Sequence, residues 1–568
     1  SVFMAGQVWA AKYVTDPTTG KVVTAPEYGG TITRAMKSEP EQADVWFHHG
    51  GMDVISGVLE KLGVGNWGID RDIWDIQSGA PVSLMIGQLA ESWETPDDKT
   101  IIVKVRQGVH WHNKPPMNGR ELTAKDIEYN FHRLMGLGSG FTELNKITNV
   151  LKSVSFESIT ATDKWTVVFK LKQPHLGALM GILDDWTMYI YPPEVIEQYG
   201  DASDWRNLVG TGPFMLTDWV DGSSLTWTKN PDYWGYDEKY PQNRLPYVDQ
   251  LRGLIMPEAA TQLAALRSGK LDSIGRSGGT MITSIDAAEN LQRTNPEIVI
   301  WPFNSRNDWA LGMNVQLPYF SDIRVRKAMQ MALDLETINA GYFKGYADTT
   351  PHGLVGPAVT GYFIPFEEWP EELKKVYTYD PEGAEALIDA AGYPRGADGI
   401  RFKTELMHNE RRDLNYAELV ASYWNKIGID VEIDVPPIAA WVARRTSRDF
   451  EIITHEMAYG SLSDPLVGRR WLSTTAYNSA AVNDPDYEAL FETAAAATTI
   501  EEQQRLVKEM DMYAIERHWQ IWGPWGPQFN AFQPWVKGYN GETLGYIQKN
   551  CGFARLWIDQ ELKDRSQW

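Results

Sequence analysis

The chain carries one cysteine, Cys551, in 568 residues. A single thiol excludes an internal disulfide framework and any zinc site built on paired cysteines. Basic charge is also scarce: 53 Lys and Arg stand against 75 Asp and Glu, a formal net charge of −22. The acids are spread along the chain, so the basic footprint that a phosphate backbone requires is missing, and nucleic acid is excluded as a partner. No stretch approaches the roughly 18 consecutive apolar residues of a membrane span. Runs such as Ile182-Leu183 and Ile452-Ile453 are broken by charge within a few positions. The first residues show no charged region followed by an apolar one, which leaves export to other evidence. The histidines make no metal signature. His48 and His49 are adjacent and point apart on a strand, His110 and His112 share a strand face without a third ligand, and His455-Glu456 lacks the second His of H-E-x-x-H. No metal and no cofactor are expected.

What the chain does have is length and tryptophan. At 568 residues it exceeds the size at which one core keeps growing, so two or three domains are expected. Its 24 Trp offer stacking surface, since an indole combines a large apolar face with an N–H that needs a partner when buried. Residues 1–28 are polar and turn-rich (Asp16-Pro17, Gly20, Pro26) and read as a weakly structured arm. Beyond them, 99–106 and 164–172 alternate with period two. Ile101, Val103 and Val105 share one face of the first, and Trp165, Val167, Phe169 and Leu171 one face of the second. Between them Thr123 caps a helix running through Ile127, Phe131 and Leu134, with Asp126 as its capping-box partner. Asp380-Pro381 opens a helix that Gly392 ends. The helix bearing Tyr416, Leu419, Tyr423 and Ile427 stops at Gly428 and feeds an alternating strand from Ile429 to Val435, an α/β pattern.

Two strings imitate catalytic motifs. Gly63-Val64-Gly65-Asn66-Trp67-Gly68 fits G-x-G-x-x-G, but that motif needs a strand before it and a helix after it to hold a pyrophosphate. Here 58–62 reads as helix and 69–72 does not begin one, so a glycine-rich loop is expected. Gly275-Arg276-Ser277-Gly278-Gly279 fits the nucleophile elbow G-x-S-x-G after a short strand-like run. A hydrolase using Ser277 would need a downstream acid and then a histidine. His455 and His518 lie downstream, yet nothing singles out either. Nothing in the sequence demands catalysis.

A series of colinear motifs carries a family resemblance. From Gly87 the chain reads GQLAESWETPDDKT, continuing to VKVRQGVHWH from Val103 and NGRELTAKDI from Asn118. Then follow GTGPF from Gly210, KNPDYW from Lys229, LPYVD from Leu245, AALRSGKLD from Ala264, IRVRKAM from Ile323, DPEGAEAL from Asp380 and GIDVE from Gly428. Together they resemble the family 5 extracellular solute-binding proteins of ABC importers for dipeptides, oligopeptides and nickel. The resemblance implies an α/β, two-lobed periplasmic binding protein fold (type II, cluster C-like) with an extra subdomain in the N-terminal lobe. It divides the chain into an arm (1–28), lobe I (29–50, 201–306 and 526–568), an inserted subdomain (51–200) and lobe II (307–525). It further implies a non-enzymatic monomer, periplasmic or lipid-anchored outside the cell. Such a receptor closes by a hinge on a small ligand and delivers it to membrane permease subunits.

In peptide-binding members of that family, an acid just before the "DP" that follows a "FD…GW" strand holds the ligand's α-amino group. The corresponding position here falls at Gly460 or Ser461, neither of which supplies charge. A desolvated ammonium without a counter-charge costs several kcal/mol. Glu456 substitutes from nearby, which keeps an oligopeptide in play, whereas an oligosaccharide suits the missing acid and the tryptophans. Arg445 lies near where oligopeptide-binding relatives place an Arg that meets a ligand carboxylate. Aromatic candidates are Trp46, Trp309, Trp441, Tyr459, Trp522 and Trp525, with Gln42, His455, Glu456 and Ser461 as polar candidates.

Overall fold

The computed structural model of the chain describes residues 13–17, 20–44, 52–71, 73–74, 80, 82–145, 151, 154–185, 188–304, 310–357, 359, 361–410, 413–455, 465–475, 478–542 and 552–566. Two compact units emerge, one from Ser1–Phe303 with Phe529–Trp568, the other from Asn304–Gln528.

The first unit is built on a seven-stranded sheet. Its strand order is Phe214–Val220, Ser224–Lys229, Gln250–Ile255, Thr31–Met36, Ser273–Ile274, Pro527–Phe532 and Val299–Asn304. Gln250–Ile255 runs parallel to Thr31–Met36 with Leu251 opposite Ile32, while the hairpin partners on its other side are antiparallel. Alternation along Thr31–Met36 explains how both faces are covered. Ile32 and Met36 enter one core with Trp227, Leu251 and Phe532, and Ala35 enters another with Leu266, Leu291 and Phe529.

The same unit holds a four-stranded antiparallel sheet, ordered Ala90–Asp97, Thr100–Val105, Thr166–Leu171 and Phe156–Asp163. The register pairs Ile101 with Phe169 and Val103 with Val167, so the period-two faces read from sequence meet across the ladder. Helix Ala124–Met135 covers that face with Ile127, Phe131 and Leu134, all fully buried. Each such side chain contributes about 1.5–3 kcal/mol on burial. The cap is also as expected: Asp126 Oδ2 accepts from Thr123 N–H at 2.7 Å and from its hydroxyl at 3.2 Å.

Two expectations give way. Residues 1–28, expected as a weakly structured arm, hold a short pair of strands. Tyr13–Thr15 and Val22–Thr24 pair as an antiparallel hairpin, because the turn residues at its tip close it, with Gly20 N–H donating to Asp16 O at 2.8 Å. Residues 58–62 are not helical. The helix is only Met52–Ile55, and Gly63–Gly65 is a short strand paired with Met85–Gly87. Its glycines serve packing rather than phosphate, since a Cβ on Gly65 would lie 1.9 Å from the Trp74 ring.

The second unit centres on a five-stranded sheet ordered Ile429–Asp434, Phe402–Met407, Ile452–His455, Ala310–Met313 and Gln520–Ile521. Phe402–Met407, helix Leu414–Lys426 and Ile429–Asp434 form a βαβ unit with parallel strands. Gly428 makes the tight return at φ +88°. Ile429–Asp434 is the outermost strand, which is why only Ile429 of its apolar residues is fully buried.

Candidate functional site

In the second unit the chain leaves the edge strand Gln520–Ile521 and passes through Trp522 to Trp525. The Gln330 side chain, from helix Ile323–Met331, takes the place of a strand partner. Its Oε1 accepts from Trp522 N–H at 2.7 Å, and its Nε2 donates to Trp522 O at 3.2 Å. Trp525 exchanges both backbone hydrogen bonds with Asp348, at 2.8 and 3.2 Å. His352 then makes T-shaped contacts with Trp525, centroids 4.4 Å apart at 82°, and with Trp522, 5.8 Å apart at 83°. Such pairs add about 0.5–1.5 kcal/mol beyond burial. Trp522 is buried and Trp525 half-buried, so Trp525 is the ring of this group with surface to offer.

Trp441 and Arg445 share one face of helix Ile438–Ser447 at i, i+4 spacing. The guanidinium lies 4.9 Å from the indole centroid. Trp441 is buried in a cluster with Met407, Phe450 and Ile453, and Arg445 is half-buried above it. The adjacent Arg444 is bound within the unit by Glu405 at 2.6 Å and Asp434 at 2.7 Å. His455 ends the strand Ile452–His455, its backbone opposite Ala310. Gln42 is half-buried in the connection after Thr31–Met36 in the first unit. Trp46, Trp309, Glu456, Tyr459, Gly460 and Ser461 lie outside the described residues.

The first unit also carries an open pocket of about 460 Å³. Two guanidinium groups approach the Trp67 indole there, Arg71 at 5.8 Å and Arg555 at 5.0 Å from its centroid. Arg71 is paired with Glu542 at 2.7 Å, Arg555 Nε with Glu238 at 2.7 Å, and Lys239 with Asp16 at 3.6 Å. Nothing in the sequence announces this pocket. Arg71 and Glu542 are 471 positions apart, and no local pattern signals a pair at that distance.

Buried polar groups tie the family-like motifs of the first unit together. His112 Nε2 donates to Gly212 O, Nδ1 accepts from Gly210 N–H, and burial lowers the imidazole pKa to about 4. Glu60 accepts from the Tyr233 hydroxyl at 2.9 Å, from Trp234 Nε1 at 3.0 Å and from Gln88 Nε2 at 3.1 Å. Burial nevertheless pushes its carboxyl up to about 7. Ser277 sits buried in a 3₁₀ turn, Arg276–Gly278, and no helix follows directly as a nucleophile elbow requires. The turn is pinned instead by Asn530, whose Oδ1 accepts from Arg276 N–H at 2.9 Å, and by Lys37, whose N–H donates to Gly278 O at 2.8 Å.

Residues 85–479 match the family model described as bacterial extracellular solute-binding proteins, family 5. Heme-binding protein A of Haemophilus influenzae is 25% identical over 483 residues, spanning 81% of this chain and 82% of that one. The glutathione-binding protein GsiB of Salmonella paratyphi A is 26% identical over 527 residues, spanning 90% of this chain and 91% of that one. Among solved structures, the periplasmic binding protein DppA of Helicobacter pylori, in complex with the peptide STSA, superposes with a TM-score of 0.69 at 21% identity. That match covers 94% of this chain and 99% of DppA, and it shows the two-lobed fold.

Proposed function

The chain belongs to the family 5 bacterial extracellular solute-binding proteins, and from that premise we propose that it is the extracytoplasmic receptor of an ABC importer for a peptide or peptide-like solute. The observation that carries this reading is the near-full-length likeness to a glutathione-binding protein, 90% of this chain, joined to a fold shared with a peptide-bound structure. Neither relative is named for a sugar, and the peptide reading therefore takes precedence over the oligosaccharide. No helix among the described residues is long and apolar enough to cross a membrane, consistent with delivery of the ligand to separate permease subunits.

Trp525 is the described residue best suited to face a ligand, with Gln42, Arg445 and His455 as further contacts and Trp46, Trp309, Glu456, Tyr459 and Ser461 completing the set. Trp441 and Trp522 are buried; Trp441 carries the Arg445 guanidinium and Trp522 packs against His352. Residues 51–200 form the inserted subdomain of lobe I. The receptor acts as a monomer, free in the periplasm or held outside the cell by a lipid.

Thermal-shift measurements test the reading. Reduced glutathione, haemin, Ser-Thr-Ser-Ala and a set of di- to pentapeptides are compared with linear oligosaccharides. A ligand present at 100 times its Kd stabilises the native state by about 2.7 kcal/mol, a rise of several degrees in Tm. A rise with one of the peptide-type compounds is expected. A rise with oligosaccharides alone, or with haemin alone, overturns the proposal.

A further inference from the structure

The segment that carries His352 to Trp522 and Trp525 is tied down from one side by a single buried acid. Asp511 lies on helix Ile500–Glu516 and is fully buried. Its Oδ1 accepts from Leu354 N–H at 3.0 Å and its Oδ2 from Val355 N–H at 3.4 Å. The fit is close: a Cβ on Gly353 would come within 2.3 Å of Asp511 Oδ2, so Gly353 is the residue that lets the backbone approach the carboxylate. At the other end of the same short segment, Asp348 pairs with Trp525 through both backbone hydrogen bonds. His352, between these two anchors, donates through Nδ1 to Gly353 O at 2.6 Å and meets both tryptophans in T-shaped contacts.

We propose that Asp511 is a positioning residue for ligand binding, holding the 348–355 segment so that His352 fixes the orientation of Trp525. The proposal rests on the receptor reading above, in which Trp525 faces the ligand.

The surroundings of Asp511 make its hold sensitive to protonation. A small void of about 10 Å³, room for a single water, adjoins the carboxylate. Its described walls include His352, Tyr377 and His518 but no Lys or Arg. From helix Pro485–Ala495, Tyr487 also faces Asp511, and burial together with the acid's charge raises both tyrosines, leaving them neutral. Burial, with Lys327 and Arg326 nearby, lowers His518 to about 3, so it supplies no counter-charge near neutral pH. With no Lys or Arg among the described residues around it, burial pushes Asp511 up to about 7, and the two backbone N–H groups offset only part of that rise. Above that value the ionised carboxylate grips both N–H groups with charge-assisted hydrogen bonds; below it the neutral acid holds them more weakly.

Hydrogen exchange on the full-length protein tests this without any ligand. After correction for intrinsic exchange, protection of the Leu354 and Val355 amides rises about five- to tenfold between about pH 6 and pH 8 in the wild type. Asp511→Asn, nearly isosteric, abolishes the step. A flat wild-type profile, or a step that persists in Asp511→Asn, overturns the proposal. The second arm measures affinity for reduced glutathione and Ser-Thr-Ser-Ala by calorimetry across the same range, with affinity rising with pH in the wild type and flat in Asp511→Asn. Matching pH dependence of affinity in the two proteins also overturns it. If neither compound binds the wild type at any pH, the peptide reading loses its support while the exchange result still judges Asp511.

Discussion

His112 and Gly212 are joined by a buried hydrogen bond, imidazole Nε2 to carbonyl at 3.0 Å, and Gly210 N–H donates to the opposite ring nitrogen at 3.2 Å. One ring nitrogen must therefore be a donor and the other an acceptor, which only neutral imidazole provides. Two sequence motifs a hundred residues apart, the His110–His112 string and the GTGPF turn, are locked by this one side chain.

That lock has a pH signature. The folded imidazole titrates at about 4 and an unfolded one at about 6.5. Between those values the unfolded chain binds more protons, so the contribution is complete above about pH 6.5 and is lost as pH falls through 4. Its size is roughly 3 kcal/mol. Urea denaturation at a series of pH values, wild type against His112→Gln, should show the wild type losing more stability than the variant over that interval.

Glu60 works in the opposite sense. Its folded value is about 7 against an ordinary 4.5, so the folded state holds the extra proton. The stabilisation is complete below about pH 4.5 and is lost as pH rises through 7, again up to roughly 3 kcal/mol. Glu60→Gln, which keeps the neutral form at every pH, should match the wild type near pH 4.5 and exceed it at pH 8 in the same denaturation experiment.

Arg133 and Asp44 form a buried ion pair at 2.8 Å, and Asp44 also accepts from Ala202 N–H at 3.1 Å. Removing the guanidinium takes the opposite charge from a buried carboxylate, so Arg133→Met should cost about 3–5 kcal/mol. The double variant Asp44→Asn with Arg133→Met should recover part of the loss. A fully additive double-mutant cycle would show that the pair is uncoupled.

Trp441 and Trp525 should separate cleanly by function. Trp441 is buried in the Met407, Phe450 and Ile453 cluster, and its replacement by Ala should lower stability by about 3–5 kcal/mol. Trp525 is half-buried, and Trp525→Ala should weaken binding of the compound identified by thermal shift at least about fivefold. Equal stability losses in the two variants, with unchanged affinity for Trp525→Ala, would remove Trp525 from the site.

Local pattern made much of this fold legible. Period-two alternation located Thr100–Val105 and Thr166–Leu171, and Thr123 with Asp126 marked the start of a helix, because these signals act within a few residues. Within the first 28 residues Asp16-Pro17 and Gly20 announce a turn, but whether a turn joins paired strands depends on neighbours elsewhere in the chain. Trp525 and Arg445 stand out through family likeness, not through a local chemical pattern. His352 and Asp511 carried no local signal, since each matters only through partners brought near by the fold, Trp525 for one and residues 156 to 157 positions away for the other.

The strand Pro527–Phe532 has a consequence for how the protein is made. It lies between Ser273–Ile274 and Val299–Asn304, an interior place in the seven-stranded sheet. As the chain leaves the ribosome from its N-terminus, that place stays empty until nearly the whole polypeptide has emerged. The continuous 304–528 unit has no such delay, since every strand of its own sheet is already synthesised. The first unit to begin emerging is thus the last to complete its sheet, and until then it exposes open strand edges of the kind that aggregate or recruit chaperones.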